Sequence, residues 1–135
     1  MSDPLNKEQR SYCMSRVRSR DTDIERVVQY HLRRLGYRFK THPNTVLGRP
    51  DIYMPGIRVA VFIDGDFWHG HRFNTWESAL SPFWQVKIRT NIQRDKRVRK
   101  SLRSQGINVV RIWQHDLEQD TESCIVNLVN VIECS

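Results

Sequence analysis

Positions suited to one buried face recur first at a helical spacing: Ile24, Val27, Val28, His31 and Leu35 follow an i, i+3, i+4, i+7, i+11 pattern. Thr22 and Glu25 occupy capping-box positions before this run, and Gly36 stands where a helix C-terminus is expected. The period then shortens. Tyr37 to Thr41 alternates as a strand, Pro50 to Met54 reads as a short strand, Pro55-Gly56 as a turn, and Arg58 to Ile63 as an apolar strand long enough to be central. The two strands around the turn predict a hairpin whose far ends bring Asp51 and Asp64 together. Ser81-Pro82 supplies an N-cap and a first-turn proline for a long helix to about Gln105, with Trp84, Ile88, Ile92 and Leu102 as its buried stripe. After Gly106, Ile107 to Trp113 forms another strand, and Ile125, Leu128, Val129 and Ile132 mark a final amphipathic helix. The order helix, three strands, helix, strand, helix predicts an α/β domain, a mixed sheet flanked by helices.

Lys7 to Arg20 is polar and basic, with only Cys13, Met14 and Val17 available for burial. Residues 1–20 are therefore expected to form a basic N-terminal arm, and 21–135 a single domain with one core. The formal charge of +7 points to a polyanionic partner, because neutralising phosphates releases counterions. Acidic proteins and membrane surfaces attract the same charge, so charge alone does not decide. No apolar run approaches the roughly 18 residues that span a bilayer. The opening Met-Ser-Asp-Pro lacks the features of a secretory signal, so a cytoplasmic protein is expected. Cys13, Cys124 and Cys134 are scattered and suggest neither a disulfide framework nor a cysteine-rich zinc site.

The chemistry concentrates in Asp64-Gly65-Asp66-Phe67-Trp68-His69-Gly70-His71, which follows the apolar strand directly. Carboxylates can hold a divalent cation, an imidazole can move a proton, and flat side chains can push between bases. Asp51, at a Pro-Asp step opening the preceding strand, is suited to holding Mg²⁺; alone it would read as a turn, and the hairpin pairing with Asp64 and Asp66 favours a ligand. His69 follows two aromatics and precedes a glycine, which suits a base better than a packed core histidine. On the long helix, Lys87, Asn91 and Arg94 lie at i, i+4, i+7 and share a face; Lys87 and Asn91 can address base edges. Arg89 to Arg103 carries seven basic residues against only Asp95, a run suited to positioning phosphates.

Taken together, Gly48-Arg49-Pro50-Asp51, Val61 to Gly70, Phe83-Trp84 with Lys87, Asn91 and Arg94-Asp95, and Arg111-Ile112-Trp113 resemble the very short patch repair (Vsr) DNA mismatch endonucleases. Ser11, Met14, Arg20-Asp21-Thr22 and Ile24-Glu25 extend the resemblance, which runs in order from about Ser11 to Trp113. It implies a restriction-endonuclease-like fold, Mg²⁺-dependent nicking of one strand with one or two ions, and double-stranded DNA with a T·G mismatch as substrate. It also implies that Asp51 binds metal, that His69 is the general base, and that Glu25 supports metal-bound water. The capping box explains Glu25 equally well, and both can hold if the helix N-terminus faces the metal. Met14, Phe67 and Trp68 would wedge into the duplex, with Arg20 and Arg94 on the nucleic acid; Met14 could also be only a contact beneath the arm.

The chain departs from the family in two places. Where zinc-bearing members use three cysteines and a histidine, it has Asp66, His71, Phe73 and His115. These make a poor structural zinc site, so no zinc is expected, and Phe73 packed inward replaces it. The restriction-fold pattern implies an acid and a lysine on the strand ending at Ile63; here Ile63 can offer a metal only its backbone carbonyl, and with no lysine in the loop His69 would take the lysine's role. Asp64 is either an extra ligand or the group that orients His69. A monomeric mismatch endonuclease is thus expected. The alternatives are a mismatch-independent nicking or restriction-type nuclease of the same fold, or a catalytically silent DNA-binding module.

Overall fold

The structure, a computed structural model, describes residues 23–66 and 69–135. The arm with Met14 and Arg20, the capping residue Thr22, and the Phe67-Trp68 pair lie outside the described residues. Helix α1 spans Asp23–Arg34, and strand β1 is Lys40–Thr41. Strands β2 (Ile52–Met54) and β3 (Val59–Asp64) form the expected antiparallel hairpin, with Ile52 opposite Val61 and Met54 opposite Val59. A short helix α2 (Phe73–Trp76) and a 3₁₀ turn lead into the long helix α3 (Pro82–Ser104). Strand β4 (Asn108–Trp113) pairs parallel to β3, and helices α4 (Gln114–Gln119) and α5 (Thr121–Glu133) follow. The sheet order is β1-β2-β3-β4, so the predicted mixed sheet forms.

Its two faces are covered by different helices. Val59, Val61 and Ile63 pack with Ile52, Met54 and Ile112 against Val28 and Leu32 of α1, Leu117 of α4, and Ile125, Leu128 and Ile132 of α5. The alternate residues Ala60 and Phe62 pack against Val98 and Leu102 of α3. β3 is thus clothed on both sides, which is why it reads as an unbroken apolar run rather than an alternating one. A satellite cluster of Phe73, Leu80, Trp84 and Ile88 ties α2 to α3.

Three expectations need correction. The α1 stripe is rotated: Glu25, Val28, Gln29 and Leu32 are buried, while Val27 and Leu35 are exposed. Apolar periodicity missed this because a buried glutamate and glutamine occupy the inner face. The strand at Tyr37 to Thr41 shrinks to Lys40–Thr41, the residues that find partners on β2. The long helix buries Asn91 in the register where Ile92 was expected, leaving Ile92 only half-buried.

Candidate functional site

Two clusters of polar side chains form at one end of the sheet, where β2 begins and β3 and β4 finish. The first is built by the hairpin register. One step beyond the Thr41–Ile52 pair, the same register sets His42 across from Asp51. His42 Nε2 lies 3.3 Å from Asp51 Oδ1 and 3.2 Å from Glu25 Oε2, which α1 delivers from its first turn. Glu25 is only 4% exposed. The Ile63 amide donates a 2.6 Å hydrogen bond to Asp51 Oδ2, fixing that carboxylate with its other oxygen toward His42. The donor atoms of Glu25, His42 and Asp51 all lie within 4.8 Å of one another.

That spacing suits a divalent cation. Metal–oxygen bonds of about 2.1 Å at right angles set neighbouring donors roughly 3.0 Å apart. The observed 3.2 and 3.3 Å fall close to that separation. Glu25 and Asp51 were singled out from the sequence; His42 was not.

The second cluster centres on His69. Its loop is folded back on itself, with the His69 amide donating to Gly65 O, His71 to Asp66 O and Phe73 to Gly70 O. Gly70 has φ 73°, and a Cβ there would sit 2.4 Å from Ile92 Cδ1 of α3. This close approach presses the loop onto the helix face that carries Ile88, Ile92 and, one turn on, Asp95. His69 Nδ1 consequently meets Asp95 Oδ2 at 2.6 Å, while Nε2 lies 3.4 Å from Asp64 Oδ1. Arg111 Nε donates to Asp64 Oδ2 at 2.5 Å, and its guanidinium rests 3.9 Å over the Trp113 ring. Burial pushes the Asp64 carboxyl up from its ordinary range, and the His69 and Arg111 charges oppose that rise. Gly70→Ala should cost about 2 kcal/mol, from steric overlap plus left-handed backbone strain. Chemical denaturation measures this, and an unchanged midpoint would show that the loop does not depend on this contact.

Strand alternation explains why Asp51 and Asp64 serve different clusters. Ile63 faces α1 and its amide anchors Asp51, whereas Asp64 faces α3 and reaches His69. Consecutive residues of β3 therefore join the two groups. A cavity of about 640 Å³, lined by Tyr37, Phe39, Met54, Ile57 and Ile132, shares no residue with either cluster and lies at the hairpin's turn end.

Of the residues expected to face DNA on α3, Arg94 is exposed and Lys87 half-buried, but Asn91 is 2% exposed. The expected shared open face therefore fails at Asn91, which is buried with Trp84 and Ile88 on the inner side of the helix. Near the family's zinc position, Phe73 packs into the apolar cluster with Leu80, Trp84 and Ile88. The His71 ring lies 4.1 Å from that of His115, tilted by 32°, and His115 Nδ1 contacts Asp66 Oδ1 at 2.8 Å. The hydrogen bond with Asp66 raises the His115 pKa above 6.5. Its folded-state value exceeds its unfolded one, so the pair's stabilisation is complete below about pH 6.5 and is lost as pH rises through the folded value. Unfolding midpoints should fall between roughly pH 6 and pH 8 by more in the native protein than in His115→Gln. Identical pH slopes would remove this contribution.

Neither His42 nor Asp95 was assigned a role from the sequence. His42 becomes visible once the β1–β2 register is known. Asp95 carried a signal, as the lone acid in a basic helical run.

Comparison with known proteins places the chain in a family. The model of the DNA mismatch endonuclease Vsr family matches residues 2–75. The chain is 36% identical to the type II nicking enzyme V.XorIIP of Xanthomonas oryzae pv. oryzae over 137 residues, covering 100% of both chains. It is 34% identical to the type II nicking enzyme V.NmeDIP of Neisseria meningitidis serogroup C, over 90% of this chain and 84% of the relative. It is 32% identical to the DNA mismatch endonuclease Vsr of Escherichia coli K12, over 84% of this chain and 74% of that one. The mixed sheet with flanking helices is thus the restriction-endonuclease-like fold of that family, and the chain belongs to the Vsr family of DNA endonucleases.

Proposed function

We propose that this endonuclease nicks one strand of duplex DNA at or beside a T·G mismatch, with Mg²⁺ held by Asp51, the Ile63 carbonyl and Glu25. The observation that carries the reading is the meeting of the two clusters through Ile63 and Asp64 at one end of the sheet. A bound cation supplies Lewis-acid polarisation of the phosphoryl oxygen. His69 takes the proton of the attacking water at Nε2, while Asp95 holds the imidazole from its Nδ1 side. Asp64, held by Arg111 and 3.4 Å from Nε2, places its carboxylate beside the nitrogen that receives that proton. Lys87 and Arg94 position the phosphates, with Arg20 of the arm. Met14, Phe67 and Trp68 open the duplex, at a cost in unstacking that is least at a mismatch. The protein acts as a monomer in the cytoplasm, without structural zinc.

Nicking of end-labelled duplexes that differ only in T·G versus T·A tests the reading. Mg²⁺-dependent cutting of the T·G duplex alone supports it; equal cutting of both contradicts it. Equal cutting is the outcome of a second reading, mismatch-independent nicking; relatives such as V.XorIIP are named as nicking enzymes. A silent DNA-binding module needs neither Asp51 nor His69, and binding without cleavage in Mg²⁺ or Mn²⁺ would establish it.

A further inference from the structure

We infer that His42 is a direct ligand of the cation, so that the site of Asp51 and Glu25 is a mixed nitrogen–oxygen site that prefers a first-row transition cation such as Mn²⁺ over Mg²⁺. The inference rests on the proposed cation site and assigns it a further ligand and a metal preference.

Three observations carry it. The His42 Nε2 atom contacts both carboxylates, at 3.2 and 3.3 Å, separations that also match neighbouring donors around one ion. The three donors form a single group within 4.8 Å, and no other such group of histidine, cysteine and acidic side chains occurs among the described residues. The backbone of His42 has φ 47°, although the residue is not glycine and precedes Pro43. A left-handed conformation is costly for such a residue, and a following proline favours extended backbone instead. Strain of this kind persists where surrounding structure holds a side chain in a required place. Here that place lies between the Glu25 and Asp51 carboxylates.

Donor chemistry then sets the preference. Mg²⁺ is hard, takes oxygen ligands and retains its waters. Imidazole nitrogen favours the first-row transition cations, and in a set of two carboxylates and one imidazole it moves the balance toward them. A Gln in place of His42 keeps a polar side chain of similar reach but removes the nitrogen lone pair.

Mn²⁺ and Mg²⁺ binding to the full chain without DNA tests this, by calorimetry and by pulsed electron paramagnetic resonance of bound Mn²⁺. The expected result is Mn²⁺ affinity about tenfold or more above that for Mg²⁺, with a ¹⁴N coupling from directly bound imidazole. His42→Gln should lose that coupling and bring the two affinities to within about threefold. Wild-type Mn²⁺ without ¹⁴N coupling overturns the inference, whether or not the variant folds. So does a coupling that persists in His42→Gln. In either case, Mn²⁺ binding that disappears in Asp51→Asn leaves the Asp51 cation site standing and removes only the role of His42. Mn²⁺ bound equally by wild type and Asp51→Asn removes both.

Discussion

Asp51→Asn is expected to slow single-turnover nicking of a T·G duplex by about 10³-fold or more, because a bound cation supplies several kcal/mol of transition-state stabilisation and each 1.36 kcal/mol is tenfold in rate. The substitution isolates the cation effect unusually well. Asn retains an oxygen that can accept the Ile63 amide, the 2.6 Å bond that fixes the Asp51 side chain. What it loses is the charged oxygen facing His42, replaced by an amide NH₂ that cannot bind a cation. Thermal stability and DNA affinity should therefore change little while turnover collapses. Full nicking by folded Asp51→Asn would remove the hairpin carboxylate from the chemistry.

His69→Ala should lower the same rate by about 10²–10⁴-fold, the range for losing a positioned general base. Duplex binding should be nearly intact, because phosphate contacts are assigned to Lys87, Arg94 and the arm. The substitution leaves Asp95 without its 2.6 Å partner, and Asp64 without the ring at 3.4 Å. Asp64 keeps Arg111, so a uniform collapse of the fold is not expected. Single-turnover kinetics beside an equilibrium binding assay separate the two effects. Retained turnover would show that another group activates the water.

The legibility of this chain follows from where its physics is local. The β2–β3 hairpin could be read from two apolar runs around Pro55-Gly56, and the ends of the long helix from Ser81-Pro82 and Gly106, because each signal lies within a few residues. The inner face of α1 could not, since Glu25 and Gln29 are buried by partners distant in sequence. Asp51 and His69 stood out as acids and imidazoles beside turn residues. The split of Asp51 and Asp64 between two clusters depends on strand alternation relative to α1 and α3, and so needs the packed sheet. Asn91 reads as a surface amide at the right helical spacing, yet α3 turns that one side chain inward. His42 was hidden because its neighbour Asp51 is nine positions away in sequence and adjacent only through the β1–β2 register.

In the proposed mechanism Asp51 and His69 act on a single phosphate. It is tested most directly by the structure of the protein bound to an uncleaved T·G duplex in Ca²⁺. The expected result is one phosphate whose oxygen contacts a cation on Asp51 while a water at its phosphorus lies within about 3 Å of His69. A complex in which different phosphates face the two residues would contradict it.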